Sequence, residues 1–245
     1  MVEKQQEKRI FFIIPAFNEG KNIAKVIENI GNTVSYRYKI ILIDDGSSDF
    51  LASEVIKSFP NVLVIRHLTN KGLGEAIKTG FLYVLKECNG KDIIVTQEAD
   101  NTSDALILDS IIEKIAAGYD IVVAGYHSGG GKIIGVANMR KILSYLANRG
   151  LKNICHIKGI STYTSLYRSY SCALIKKAFE VYGDHFITYN RFASVPEILI
   201  KLSKLNGVKI TEVPGALRGD KRLGKSKMKI IRNIVDYIWL LVKRI

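Results

Sequence analysis

Short apolar runs alternate with helical segments along the first half of the chain, and this rhythm constrains the fold more than any other feature. The apolar runs have the length and composition of buried parallel strands, and they cover residues 10–15, 40–43, 62–65, 93–96 and 121–124. Helical spacing occurs between them, at residues 22–30, 74–86 and 105–116. This order predicts an α/β fold with a mostly parallel central sheet and helices on both faces.

The second half is less regular. A Gly-rich loop through residue 131 precedes a predicted helix near residues 139–151, and a Ser/Thr/Tyr-rich stretch at 161–171 has no clear period. The remaining predicted elements are a helix at 195–205, a strand at 208–213, a basic loop at 218–227 and a final helix. We expect substrates to bind where regularity is lost.

Composition narrows the class of protein. The chain has 245 residues, 24% charged and 47% hydrophobic, which are globular values that argue against wholesale disorder and against a polytopic membrane protein. The formal charge of +13 indicates attraction to polyanions without choosing between nucleic acid, anionic lipid and phosphorylated substrates.

The cysteines and the N-terminus bear on location. Cys88, Cys155 and Cys172 are odd in number and lack metal-ligand spacing, so we expect core thiols in a reduced, cytoplasmic protein. The charged residues 1–9 do not resemble a secretory signal, and no stretch reaches the roughly 18 apolar residues of a spanning helix.

Polar clusters follow three of the predicted strands, at residues 15–19, 44–49 and 98–100. Because ligands bind beyond the carboxyl ends of strands in a doubly wound sheet, we expect these clusters to converge on one edge. The sequence therefore predicts a single site built from all three.

Glu98 and Asp100 form the most informative cluster. Two carboxylates at i and i+2 just after a strand can face one Mg²⁺ or Mn²⁺ ion, which would take its other ligands from substrate phosphates and water. The alternative is that Asp100 and the residues after it cap the next helix; we assign the cap to Asp104 and the metal to Asp100.

Asp44 and Asp45 allow two interpretations. They either begin a tight turn or hold a nucleotide, whose base edge or ribose would supply the donors that two carboxylates need at the end of a buried strand. The residues alone leave both open.

Taken together, the motifs resemble family-2 glycosyltransferases, most closely the dolichyl-phosphate mannosyltransferase-like branch. In order along nearly the whole chain, they are residues 14–19, 44–49, 70–72, 98–100 and 222–227. The resemblance implies a GT-A fold, a nucleotide-sugar donor of the GDP-mannose or UDP-glucose type, and a divalent metal.

On the donor side, the resemblance assigns the base and ribose to Pro15, Phe17, Glu19, Asp44 and Asp45. The metal is assigned to Glu98 and Asp100, of which Asp100 is also counted as catalytic. The catalytic Arg222 would face the phosphates together with Ser226 and Lys227.

On the acceptor side, the matching positions are Arg140, Ser144 and Arg168, with Glu197 at an acidic, catalytic position. This chain departs from the branch twice, because Glu98 replaces the first Asp of Asp-Ala-Asp and His127 replaces an Arg before the Gly-rich loop. We count His127 as a substrate-binding residue that would serve as a weaker donor to the acceptor phosphate; the alternative is a loop histidine without that role.

The implied reaction is inverting transfer of a hexose to a polyprenyl or dolichyl phosphate. A phosphate acceptor needs no general base, whereas a hydroxyl acceptor would need one, for which Glu197 is the candidate. The sequence leaves these alternatives open.

The C-terminal region predicts membrane contact. Residues 218–232 contain seven basic residues and one acidic residue, and a basic amphipathic helix with Trp239 near its apolar face follows. We divide the chain into a catalytic domain, residues 1–227, and this helix, residues 228–245. We expect the helix to lie on the cytoplasmic face of a membrane; packing on its own domain is the alternative.

A basic nucleic-acid-binding protein is the rival from another class, supported by the net charge. This alternative does not explain the acidic clusters, so we expect no nucleic-acid partner.

Overall fold

The computed structural model describes residues 8–49, 58–224 and 230–242. The strands are β1 (Arg9–Ala16), β2 (Arg37–Asp44), β3 (Val62–Arg66), β4 (Ile93–Thr96), β5 (Ile121–Gly125), β6 (Lys132–Ile134), β7 (Arg168–Ser171), β8 (Ile210–Pro214) and β9 (Ala216–Arg218). The helices are α1 (Gly20–Thr33), α2 (Leu73–Glu87), α3 (Leu108–Ala116), α4 (Asn138–Cys155), α5 (Cys172–Tyr182), α6 (Ser194–Ser203) and α7 (Ile230–Val242).

Seven strands form the central sheet, in the order β3-β2-β1-β4-β7-β5-β8. All pairs are parallel except those that β7 makes with β4 and β5. The predicted α/β architecture with a mostly parallel sheet is thus confirmed.

Both faces of the sheet are buried, because successive side chains of a strand point to opposite faces. On β1, Phe11 and Ile13 pack with residues of α2, α5 and α6. Phe12 and Ile14 pack on the other face with residues of α1 and α3. This double burial explains why the strands are continuous apolar runs.

The sequence pattern does not predict the short strands β6 and β9, and it also misses the strand β7 and the helix α5 that follows it. The strand is polar, yet it lies in the middle of the sheet, where Arg168 and Ser169 are fully buried. α5 follows at once, with Ser171 as its N-cap: the Ser171 hydroxyl accepts from the Leu174 amide at 3.3 Å. Because these buried residues are polar, the hydrophobic period of the sequence does not reveal β7 as a core strand.

Cys88 and Cys172 are joined as a disulfide between the end of α2 and the start of α5, with Cα atoms 6.8 Å apart. The expectation of three separate core thiols is therefore wrong for this pair, because the helices that carry them pack side by side. Cys155 is a free, half-buried thiol.

β6 and β9 form a separate parallel pair that brings the loop after β9 over the sheet edge. The Arg218 amide donates to the Thr102 carbonyl at 2.8 Å, which ties this loop to the segment after β4. A short 3₁₀ turn at Gly219–Lys221 then leads to Arg222.

α7 packs against the domain and also presents an apolar surface outwards. Asn233 and Leu240 are buried, and Asp236 makes an ion pair with Arg191 at 3.0 Å. Val235, Trp239 and Val242 are exposed; we call these three the outer face of α7. Within the described ranges, no helix is both long and apolar enough to cross a bilayer.

Candidate active site

A cavity of about 420 Å³ lies where β1, β2 and β4 end. Seven of the predicted site residues line it: Pro15, Phe17, Glu19, Asp45, Glu98, Asp100 and Arg222. A larger groove of about 1260 Å³ beside α4, α6 and β8 contains none of them. The structure thus brings residues of all three polar clusters together at one edge of the sheet, as the sequence predicted.

Glu98 and Asp100 are held by the turn that follows them. Glu98 accepts from the Ser103 hydroxyl at 2.5 Å and the Leu166 amide at 3.3 Å. Asp100 Oδ1 accepts from the Thr102 hydroxyl at 2.6 Å and the Thr102 amide at 3.2 Å. Burial, and then the nearby charge of Asp100, raise the pKa of Glu98. Two carboxylates in mutual repulsion form a site that favours a cation.

The donor set fits a hard divalent ion. No group of three or more His, Cys, Asp or Glu side chains forms a metal cage in the described part of the chain. Mg²⁺ is commonly bound through only one or two carboxylates, with substrate phosphates and water completing the shell. Glu98 and Asp100 meet that requirement without a further protein ligand.

Arg222 bridges two of the acidic residues. Its Nη1 donates to Asp100 Oδ2 at 2.7 Å and its Nη2 donates to Glu19 Oε1 at 2.6 Å. Asn22 fixes the backbone beside it, because its side chain donates to the Leu223 carbonyl at 3.0 Å and accepts from the Leu223 amide at 2.8 Å. A positive group thus lies directly beside the proposed metal ligand.

Asp44 and Asp45 are occupied mainly by the chain itself. Asp45 accepts from the Lys71 and Gly72 amides at 2.9 and 2.8 Å and pairs with His67 Nδ1 at 2.7 Å. Asp44 Oδ1 accepts from the Ser47 amide at 2.9 Å, as in a tight turn.

These contacts favour the turn interpretation for Asp44 Oδ1 and for both carboxylate oxygens of Asp45. Of the four carboxylate oxygens of Asp44 and Asp45, only Asp44 Oδ2 is buried without a hydrogen bond within the described residues, and it lies 3.5 Å from Arg66 Nε. Of the two residues, Asp45 lines the cavity and Asp44 does not.

His127 and Ser144 contact each other. His127 Nε2 lies 3.1 Å from Ser144 Oγ, and the His127 amide donates to Thr162 Oγ1 at 3.1 Å. Burial lowers the pKa of His127. Arg140 lies one turn before Ser144 on α4, so the three predicted acceptor residues form one group, although none of them lines the cavity itself.

Arg168 and Glu197 do not line the cavity. Arg168 is fully buried and donates to the carbonyls of Val195 and Tyr163 at 2.7 and 2.5 Å. The predicted contact of Arg168 with substrate therefore has no support from its position, since its charge is used to join β7 to α6.

Glu197 is also fully buried, and several donors surround its carboxylate. The amides of Thr188 and Tyr189 donate to it at 3.0 Å, and Lys201 Nζ lies 2.6 Å away. It holds the loop before α6, and its predicted role as a general base has no geometric support.

The sequence did not point to one wall of the cavity, which consists of Asn190, Arg191 and Phe192 before α6 and of Asn233 on α7. The sequence did contain a signal for this wall. Leu240 is an apolar exception on the otherwise polar side of the last helix, about two turns from Asn233. Both residues are buried, so this side of the helix packs inward. Ser226 and Lys227 lie outside the described residues.

Comparison with known proteins identifies the family of the chain. A family model described as "Glycosyl transferase family 2" matches residues 11–179. The chain is 30% identical over 239 residues to the dolichol-phosphate mannosyltransferase of Pyrococcus furiosus, covering 94% of this chain and 62% of that one. It is 31% identical over 225 residues to the UDP-N-acetylglucosamine–dolichyl-phosphate N-acetylglucosaminyltransferase of Methanococcus voltae, covering 85% of each.

The fold is similar to that of glucosyl-3-phosphoglycerate synthase from Mycobacterium tuberculosis, solved with Mn²⁺, UDP and phosphoglyceric acid. The TM-score is 0.67 at 17% identity, over 98% of this chain and 78% of that one. This likeness establishes a GT-A fold. The family match covers most strands of the central sheet, and it includes the acidic pair that follows β4. The chain therefore belongs to glycosyl transferase family 2 and is a glycosyltransferase.

Proposed function

We propose that this glycosyltransferase moves a hexose from a nucleotide sugar to a polyprenyl phosphate at a membrane surface, with inversion at the anomeric carbon. The observation that carries the proposal is the cavity in which Glu98, Asp100 and Arg222 meet the base-binding candidates Pro15 and Phe17. Relatives named for transfer to dolichyl phosphate support the acceptor.

Glu98 and Asp100 would hold Mg²⁺ or Mn²⁺. When bound, the ion would supply positive charge that stabilises the leaving nucleoside diphosphate. Arg222, already adjacent to Asp100, adds a second positive group for the phosphates. Pro15 and Phe17 offer apolar surface to the base, and Phe17 is partly exposed for that contact.

The state of Glu197 favours a phosphate acceptor over a hydroxyl acceptor. A general base must have a lone pair within reach of the proton that it removes. The Glu197 carboxylate is enclosed by the Thr188 and Tyr189 donors and paired with Lys201. An acceptor that is already ionised needs no such base, so this arrangement fits a lipid phosphate.

The acceptor phosphate would lie near His127, Ser144 and Arg140. Arg140 supplies a fixed positive charge, and the Ser144 hydroxyl can donate to a phosphate oxygen. Because burial lowers the pKa of His127, we expect the ring to act as a neutral donor near pH 7.

Membrane contact is supported by two neighbouring surfaces. α7 packs against α4, and both helices expose apolar side chains: the outer face of α7, and Met139, Ile142 and Leu146 on α4. Exposed apolar side chains on neighbouring helices are typical of interaction sites. We propose that these helices lie on the cytoplasmic leaflet, as the C-terminal helix of residues 228–245 was predicted to do.

Transfer assays test the proposal. The purified chain would be given GDP-mannose, UDP-glucose or UDP-N-acetylglucosamine with Mn²⁺, and either dolichyl phosphate or a soluble sugar as acceptor. We expect transfer to the lipid phosphate only. Asp100→Ala should reduce the rate at least about 100-fold, about 3 kcal/mol of transition-state stabilisation, whereas the exposed Asp109→Ala should not.

Full activity of Asp100→Ala would overturn the assignment of the site. Transfer to the soluble sugar alone would favour the hydroxyl-acceptor alternative. Tight and steeply salt-dependent nucleic-acid binding, without any response to nucleotide sugars, would favour the binding-protein alternative.

A further inference from the structure

Asn233 carries a buried side-chain amide nitrogen that no group of the described residues satisfies. It lies on α7, is 5% exposed and lines the same cavity as Glu98 and Asp100. Its Nδ2 has no hydrogen-bond partner within the described chain. A buried donor of this kind is costly unless something satisfies it, so the group is placed to meet a ligand.

The helix holds Asn233 in a fixed position. Three residues further on, Asp236 pairs with both oxygens to Arg191 Nη1, at 3.0 and 3.2 Å. One turn beyond that, Leu240 is buried in the core of the domain. Arg191 and its neighbours Asn190 and Phe192 line the cavity too, so α7 and the loop before α6 form one joined wall.

The charged groups nearest the proposed metal already have partners within the chain. Arg222 and Asp100 are paired with each other, and Asp45 is bound by its own loop. The phosphates of a donor would be drawn to the metal ligands and Arg222. The part of a nucleotide sugar that still needs polar contacts is the glycosyl group, whose hydroxyls both donate and accept. A neutral amide, which also does both, is suited to a hydroxyl.

We propose that the Asn233 side chain hydrogen-bonds a hydroxyl of the transferred glycosyl group, so that α7 is part of the donor site and helps to determine which sugar is accepted. The inference rests on the proposed function. The last helix then has two roles. Its inward side hydrogen-bonds the sugar, and its outer face contacts the membrane.

Binding measurements separate this role from a structural one. Titration calorimetry with Mn²⁺ and without acceptor would give the Kd of GDP and GDP-mannose, and of UDP and UDP-glucose, for the whole chain. In the wild type, we expect one sugar-bearing donor to bind more tightly than its diphosphate. In Asn233→Ala, the sugar-bearing donor should bind about 5- to 10-fold more weakly, as expected for one lost hydrogen bond, while the diphosphate Kd stays within about 2-fold.

Two controls accompany the variant. Asn153→Ala removes an exposed asparagine from another helix and should change neither Kd. Asn233→Leu keeps the number and branching of the side-chain heavy atoms, removes the unsatisfied donor, and should raise the melting temperature while losing the same sugar-dependent affinity.

The outcomes are distinct. If both Asn233 variants keep the wild-type ratio of the two Kd values, or weaken sugar and diphosphate equally, the inference is overturned although the proposed function stands. If the wild type binds neither pair of nucleotides, the proposed function falls and the inference falls with it.

Discussion

Arg222 joins two acidic residues of the cavity, and its removal should destabilise the metal-free protein. The distances are 2.6 Å to Glu19 and 2.7 Å to Asp100, and the three side chains are only 11–17% exposed. In Arg222→Ala, both carboxylates would stay in the cavity beside Glu98 with no guanidinium to neutralise them.

The magnitude follows from that burial. A fully exposed ion pair contributes about 0–1 kcal/mol, and a hydrogen bond to a charged group contributes about 1.5–3 kcal/mol. Two such contacts, discounted for partial exposure, predict a loss of about 2–3 kcal/mol of unfolding free energy. For a chain of this size, the melting temperature should fall by about 5–10 °C.

The assay is thermal and urea unfolding in EDTA, which removes divalent ions. Arg222→Lys should lose about half as much, because an ammonium does not bridge two carboxylates as a planar fork does. Arg149→Ala, an exposed position on α4, should be neutral. Added Mn²⁺ should reduce the deficit of Arg222→Ala, since the ion replaces the guanidinium as the partner of Asp100.

A deficit no larger than that of Arg149→Ala would refute this reasoning. So would full additivity of Arg222→Ala with Glu19→Gln, because residues in direct contact should show a coupling of about 0.5–3 kcal/mol.

Three further outcomes are expected. Gly74→Ala places a Cβ 1.9 Å from a backbone carbonyl of the loop before α6, so it should cost at least about 2 kcal/mol in urea unfolding; a cost equal to that of the open position Gly90→Ala would contradict this. Burial lowers the pKa of His127 in the folded protein. The contribution of the neutral ring to the free energy of unfolding is therefore complete above about pH 6.5, the pKa of histidine in the unfolded chain, and it is lost as the pH falls from there towards the lower pKa of the folded state. His127→Gln should therefore lose less stability than the wild type between about pH 7.5 and 5, and equal losses would exclude His127 as the cause. Trp239 is 55% exposed, and Trp239→Ala should weaken flotation with anionic-lipid vesicles about tenfold, whereas Leu82→Ala on α2 should not; equal binding of both variants would remove the outer face of α7 from membrane contact.

The sequence predicts the parallel part of the fold well, because strands such as β1 and β2 are covered on both faces and must be apolar throughout. It fails for β7, whose buried Arg168 finds its partners in backbone carbonyls that no sequence period reveals. The error lies in polar groups that are satisfied by tertiary contacts.

The candidate site shows the same division. The positions of Glu98 and Asp100 at the cavity follow from strand order alone, since parallel strands end at one edge. Arg222 lies 122 positions from Asp100, and only its resemblance to a family motif pointed to the contact. Glu197 matched a family position too, and its i,i+4 spacing to Lys201 was visible on the predicted helix. The burial of the pair and the Thr188 and Tyr189 donors were visible only in three dimensions.

Among the described strands of the central sheet, β7 alone is antiparallel to its neighbours. Its first residue, Arg168, is in register with Thr96 of β4 and Val123 of β5. The chain therefore enters β7 at the edge where its neighbours finish, and the preceding residues 160–167 are delivered to that edge. Leu166 lines the cavity, and Thr162 supports His127. The side assigned to the acceptor is thus built on a strand that makes no pairing with β1, β2 or β3. Because the Leu166 amide also donates to Glu98, changes in length or composition before β7 should alter the acceptor side and the metal ligand together, while β1, β2 and β3 keep their register.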